Sequence, residues 1–225
     1  MNILMLSWRG PGHPHFGGAE INTLENVTAW AKVGHKVVWF TSSFRGSSPD
    51  EVVNGVEIIR KGSQNFEVHL AAFWWYLFGR HLKFDIVVDQ FHGIPFFTPL
   101  YVRTPKLWFI HEVAREVWWL NPWPKPFNLI PGFLGSVFEP VVFFMYRNIP
   151  FITVSSSTKE DLMKFGIPEN NIHVFLSGVN LKIPSPLSKK GNRPLIMFLG
   201  ALSKDKGIED AILVFSLIHK ARPLW

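Results

Sequence analysis

Short apolar runs alternate with longer stretches of mixed polarity along this chain. Runs at residues 2–7, 36–40, 56–60, 85–89, 106–110, 151–154, 172–176 and 195–199 are bounded by turn formers. Continuous rather than alternating hydrophobicity is what strands buried on both faces of a parallel sheet require. Between the first two runs, residues 19–33 set Ile21, Leu24, Thr28 and Ala31 near one helical face, and Gly34 supplies a stop. Ser157-Thr158-Lys159-Glu160 reads as a capping box opening a short helix that Gly166 and Pro168 close. The pattern predicts an α/β fold, a parallel sheet with helices on both faces.

From 181 to 194 the periodicity disappears into Pro, Ser, Lys, Gly and Asn, which predicts an exposed connection. The expected organisation is one lobe over 1–180, a linker over 181–194, and the start of a second lobe over 195–225. A single strand with a helix at 207–221 has too few neighbours to bury its apolar faces, so the second lobe is expected to be truncated or to dock on the first.

Composition narrows the chemistry. The 225 residues are 47% hydrophobic, ample for a buried core, and contain no Cys, which removes thiolate metal sites and cysteine nucleophiles and makes the cytoplasm the default compartment. A formal charge of +6 favours an anionic partner. Nucleic acid fits poorly, because no block of five basic residues occurs and the aromatics lie among aliphatics. A phosphorylated small molecule or an anionic bilayer fits better. The uncharged run 70–79 is too short to span a membrane, and 133–146 is interrupted by Glu139 and Pro140, so no transmembrane helix is expected.

Ligands of open parallel sheets bind beyond the carboxyl ends of the strands. The first such loop, 8–20, carries Gly10, Gly12, Gly17 and Gly18 ahead of a helix N-terminus, suited either to a phosphate or to a plain crossing. It does not match a dinucleotide fingerprint, since His15 occupies the third glycine position and no acidic residue ends the second strand. His111-Glu112 follows the fifth predicted strand; such a histidine either donates to a substrate hydroxyl, with a pKa near the working range, or serves structure. His13, His15, His92 and His111 do not form a helical metal-binding pair, so no metal is expected. Lys204 and Lys206, just before Gly207 and a helix, either complement a diphosphate or form a solvated turn.

Trp118, Trp119, Trp123, Phe127, Phe133, Phe138, Phe143 and Phe144 crowd the stretch after His111, with prolines at 122, 124, 126 and 131 expected to break any long helix. Together with Phe73, Trp74, Trp75 and Tyr76 they suit either internal packing or a bilayer interface.

Gly17-Gly18-Ala19-Glu20, Phe109-Ile110-His111-Glu112, 154–158, Ser177-Gly178-Val179-Asn180 and Gly200-Ala201-Leu202 leading to Lys206-Gly207 occur in one order. In that order they resemble the retaining glycosyltransferases of family 4, which have two Rossmann-like lobes in the GT-B arrangement. The resemblance implies an N-terminal acceptor lobe and the first part of a donor lobe. It further implies transfer from a nucleotide diphosphate sugar without a cofactor, with His111 approaching the sugar and Lys206 on the diphosphate. Gly17, Gly18, Glu20, Glu112, Lys204 and Gly207 would complete the donor side. Ala201 stands where the family usually has Arg, and Asn180 where it often has Asp. A lipid-linked acceptor and peripheral binding to the cytoplasmic membrane face are the expected partners, with no nucleic acid. A non-catalytic acceptor- or membrane-binding remnant is the rival. A nucleotide-sugar epimerase or reductase would need the dinucleotide loop that is lacking.

Overall fold

The computed structural model describes residues 1–121, 123–178 and 195–222. The expected linker at 181–194, and with it Val179 and Asn180, lies outside the described residues. The chain divides into two units, one formed by Met1–Arg115 with Gly135–Ser177 and the other by Glu116–Leu134 with Gly178–Trp225.

The first unit is an eight-stranded sheet in the order β3-β4-β2-β1-β5-β6-β7-β8. Its strands are β1 Asn2–Leu6, β2 Lys36–Thr41, β3 Asp50–Val53, β4 Val56–Arg60, β5 Ile86–Phe91, β6 Lys106–Ile110, β7 Phe151–Thr153 and β8 Ile172–Val174. All neighbours are parallel except β3, which pairs antiparallel with β4. The α/β fold is therefore as the apolar pattern predicts. Strand order reverses at β1, which has β2 on one side and β5 on the other, with Leu6 opposite both Phe40 and Asp89. That switch point opens a crevice at the carboxyl edge.

Helix α1, Gly18–Lys32, covers one face over a core of Ile3, Met5, Val27, Trp39, Ile58 and Val88. Helix α2, Glu67–Phe78, packs Val68, Ala72 and Trp75 against Leu4, Phe40 and Val87 on the other face. Helix α3, Leu129–Tyr146, lies on that same face, setting Val142, Phe143 and Tyr146 against Phe91, Trp108 and Phe151. Only its residues from Gly135 onward belong to the first unit. Helix α4, Ser156–Lys164, adds Leu162 to this core.

Three expectations change. The run 195–199 forms no strand, and Leu195, Met197 and Leu199 are exposed, because a strand needs a hydrogen-bonded neighbour and none pairs with it among the described residues. The α4 cap is Ser155 rather than Ser157: its Oγ accepts from Thr158 N at 3.1 Å, placing Ser157 within the first turn. Helix α3 runs through two prolines. Pro131 sits in its first turn, where no intrahelical N–H is needed, and Pro140 lies inside, facing solvent. At 18 residues and a mean hydropathy of 1.6, α3 is long and apolar enough to cross a membrane. Its buried side chains nonetheless pack on the sheet, as a helix of the lobe does.

In the second unit, Trp119 lies so close to Gly132 that a Cβ there would come within 2.4 Å of the ring, and Asn121 Nδ2 donates to Trp118 O and Asn128 O. A short 3-10 turn, Lys204–Lys206, leads through Gly207 into helix α5, Ile208–Ala221, none of whose residues is buried.

The β5 end is held by a buried carboxylate. Asp89, 1% exposed, accepts from Phe96 N at 3.1 Å, Thr98 Oγ1 at 2.7 Å, Thr98 N and the Tyr146 hydroxyl. One side chain thus ties the loop after β5 to both the sheet and α3. Removing it strands three donors in the interior, Thr98 N keeping the Tyr146 oxygen, so Asp89→Ala should cost about 3–5 kcal/mol in denaturant unfolding and Tyr146→Phe about 1–2. A loss under about 1 kcal/mol for Asp89→Ala would show that the loop is anchored elsewhere.

Candidate active site

Three loops meet at the crevice beside β1. The first, after β1, is fixed at both ends. Trp39 Nε1 donates to Ser7 Oγ, which donates to Arg9 O; Arg60, buried on β4, donates to Pro11 O at 2.8 Å and pairs with Glu51. Glycine is required here at two positions. A Cβ on Gly10 would meet the Thr41 side chain at 2.6 Å, and Gly12 has φ +79°.

Gly17 and Gly18 are used differently from the expected phosphate-cradling loop. Gly17 is the N-cap of α1 in extended conformation, and Gly18, the first helical residue, is exposed with open space around it. Glu20, 3% exposed, folds back so that its carboxylate accepts from Gly17 N at 2.8 Å and from Trp8 Nε1 at 3.2 Å. This is half a capping box, since Gly17 offers no side chain in return. The Gly17 N–H is therefore occupied. The N–H groups of the first turn have no capping side chain and stay available to a polar ligand.

From Trp8 a stack crosses the crevice. The Arg9 guanidinium lies 3.9 Å from the Trp8 ring centre, Trp8 stacks on His92 from the β5 loop at 5.2 Å, and His92 stacks on His111 from the β6 loop at 5.6 Å. The His111 backbone is held as well, its carbonyl accepting from Thr158 Oγ1 at 3.1 Å. Behind it, Glu139 of α3, which the sequence shows only as an interruption of an apolar run, accepts from Ala114 N and Arg115 N.

The hydrogen bonds assign the protons. Thr23 Oγ1 donates to Ala19 O, so it can only accept from Gln90 Nε2, 2.9 Å away. The second Gln90 N–H then points to His111 Nε2 at 2.8 Å. An acceptor at Nε2 leaves the His111 proton on Nδ1, which has no partner among the described residues. Burial, then the charge of His92, pushes His111 down to about 4, and burial with Arg9 does the same to His92. The expected working-range pKa is thus corrected. Near neutrality His111 is an uncharged hydrogen-bond donor and a weak base, the state in which an imidazole polarises or positions an oxygen without taking a proton.

The structure brings Gly17, Glu20 and His111 to one edge of the first unit through Trp8 and His92. Glu112, next to His111, is exposed and makes no hydrogen bond or ion pair to a described residue. Lys204, Lys206 and Gly207 belong to the second unit, where Lys206 Nζ pairs with Asp205 at 3.3 Å and Gly207 has φ +74°. Gln90, Thr23 and Trp8 were not singled out by the sequence, and His92 only as a rejected metal ligand. Their only signal is position, Thr23 in α1 and the others at or just past strand ends beside the switch point.

A family model described as Glycosyltransferase Family 4 matches residues 16–183, well over half of the chain and the whole segment from α1 through the His111 loop to α4. The chain belongs to glycosyltransferase family 4. Within this family-4 chain the neutral histidine, the capped loop and the stacked rings all fall at the carboxyl edge. No curated protein matches it. Among solved structures it is similar to alpha,alpha-trehalose 6-phosphate synthase from Burkholderia multivorans, at 13% identity and a TM-score of 0.38 over 73% of this chain. The chain spans 41% of that protein's length.

Three outcomes follow for the site. Nitrogen NMR should find His111 as the Nδ1–H tautomer with a midpoint well below 6.5; an Nε2–H tautomer or a midpoint near 6.5 would refute the proton assignment. Gln90→Glu, which offers an acceptor in place of a donor, should move the proton to Nε2 and raise the midpoint. Because the folded-state values of His92 and His111 lie below the unfolded 6.5, their contribution to stability is present above pH 6.5 and is lost as pH falls toward about 4.

Proposed function

We propose that this chain is the acceptor lobe, with the beginning of the donor lobe, of a retaining GT-B glycosyltransferase that moves a hexosyl unit from a nucleoside diphosphate sugar to an acceptor hydroxyl. In the reaction the bond from the anomeric carbon to the diphosphate breaks, the bond to the acceptor oxygen forms, and the hydroxyl proton leaves with the nucleoside diphosphate. The observation that carries the reading is a family-4 segment whose strand-end histidine is held neutral with Nδ1–H free. Such a donor can grip a sugar hydroxyl without competing for the acceptor's proton.

In this reading no cofactor takes part, and the leaving diphosphate is met by Lys206, Lys204 and the α5 N-terminus following Gly207, an electrostatic stabilisation built from fixed cations and amides. Gly18 and the α1 first turn face the sugar, and Glu20 keeps that loop in shape. The acceptor is lipid-linked and the protein works on the cytoplasmic membrane face, which suits its charge and exposed aromatics.

The non-catalytic reading has one observation in its favour. Among the described residues the second unit has no strand, α5 exposes Ile212, Leu213, Val214, Phe215 and Leu217, and Lys206 is already paired with Asp205. The 225-residue chain is accordingly expected to bind donors weakly and to turn over little.

Transfer from UDP- and GDP-sugars to a lipid-linked acceptor tests both readings, using the 225-residue chain and the longest reading frame that contains it. Retained-configuration product is expected from the longer form. His111→Ala should lower its kcat about 10²–10³-fold, the scale of one lost hydrogen-bond donor at a reacting centre, while moving Tm by only a few degrees. Inverted product would sink the retaining assignment; donor binding without transfer in either form would favour the remnant.

A further inference from the structure

Helix α2 is apolar on every side, and its outer side is organised. Val68, Ala72 and Trp75 face the core, while Leu70, Trp74, Leu77 and Phe78, spaced as one helical face, are 43–72% exposed. Trp74 and Phe78 stack on one another at 5.2 Å. On the same face of the sheet, the α3 residues Val137, Phe138, Val141 and Phe144 are also exposed. Between α2 and the 3-10 turn Thr98–Leu100 lies a cavity of about 150 Å³, lined by Phe66, His69, Leu70, Phe73, Leu100 and Tyr101. Its wall is almost wholly apolar. His69 is buried, bonds Ile94 O through Nε2 and is pushed toward its neutral form by burial, so it brings no charge to the wall.

Two features of this face select its occupant. An apolar pocket of about 150 Å³ that opens to the surface has room for a short segment of a hydrocarbon chain entering from outside. Exposed cations adjoin these elements: Arg80 directly follows the α2 C-cap, Arg103 follows the 3-10 turn, and the Arg147 guanidinium lies 4.1 Å from the Phe144 ring centre on α3. Exposed aromatics with basic residues at their margin match the boundary between acyl chains and anionic headgroups.

We propose that the outer face of α2 and α3 rests on an anionic bilayer and that the α2 cavity takes the end of one hydrocarbon chain of a membrane lipid. The cavity is then a lipid-chain site separate from the crevice at His111. The proposal deepens the lipid-linked reading and depends on it for purpose, not for geometry.

The test is photolabelling with a phosphatidylglycerol whose acyl chain carries a diazirine, presented in phosphatidylcholine vesicles, and in parallel with a diazirine fatty acid kept monomeric. Labelling of peptides containing Phe66, Leu70, Phe73 or Leu100 is expected in both arms. Leu100→Asp places a carboxylate at the mouth, at a position 72% exposed and so without a folding role, and should reduce that labelling at least about tenfold with Tm unchanged. Trp74→Ser with Phe78→Ser should reduce vesicle binding while leaving fatty-acid labelling of the cavity. Vesicle binding with label confined to the α2 and α3 surfaces would overturn the chain site and keep the membrane reading. No vesicle binding, or self-association that buries this face, would overturn the bilayer contact. A cavity labelled only by the monomeric fatty acid would likewise remove the bilayer and leave a free-lipid site.

Discussion

A buried amide with two N–H groups and two fixed acceptors sets the geometry of this site. Gln90 sits at the end of a central strand, 1% exposed, and Thr23 has already spent its proton on the α1 backbone. The amide nitrogen must therefore face Thr23, and its remaining hydrogen reaches the imidazole of the adjacent strand end. One helix, two strands and a ring are placed by two bonds that diverge from a single amide nitrogen, one passing through Thr23 to the α1 backbone and the other ending on the imidazole. The amide oxygen is left buried with no partner among the described residues, so the orientation is held by donors alone.

The same enclosure determines charge. Desolvation disfavours the imidazolium at both histidines of the stack, and each would repel the other if both were protonated. Positive charge at this edge is left to Arg9, spread flat over Trp8 and bonded to Gln64 and the His15 carbonyl. The first unit thus presents an uncharged N–H donor at this edge, while Lys204 and Lys206 belong to the other unit.

Much of the framework is legible from hydrophobic pattern, because strands such as 36–40 and 106–110 are continuous apolar runs and nothing else in a chain of this composition can hide them. The pattern misleads where burial is supplied from outside the segment. Residues 195–199 have the right side chains and no strand neighbour among the described residues. Pro131 does not halt α3, because a first-turn position needs no N–H. His111 and Glu20 are visible as titratable groups at predicted strand and helix ends. Gln90 and Thr23 are not, since they are uncharged, lie 67 residues apart and become partners only when β5 is laid beside β1. Asp50-Glu51 likewise conceals β3, although Asn54-Gly55, with φ of 51° and 82°, carries the tight-turn signature that announces it.

That hairpin has a further effect on the sheet. Because β3 returns the chain from the end of β2 to the start of β4, the parallel β2–β4 pair is made without a crossover helix. It also makes the outermost strand a four-residue antiparallel segment bearing Asp50 and Glu51, both exposed. Unpaired backbone groups along a sheet margin are templates for other chains, and short, charged margins discourage them. The opposite margin, β8, has only three residues. Both margins of the sheet are thereby poor templates for strand addition, and the exposed apolar side chains of α2 and α3 form the broader adhesive surface of the first unit.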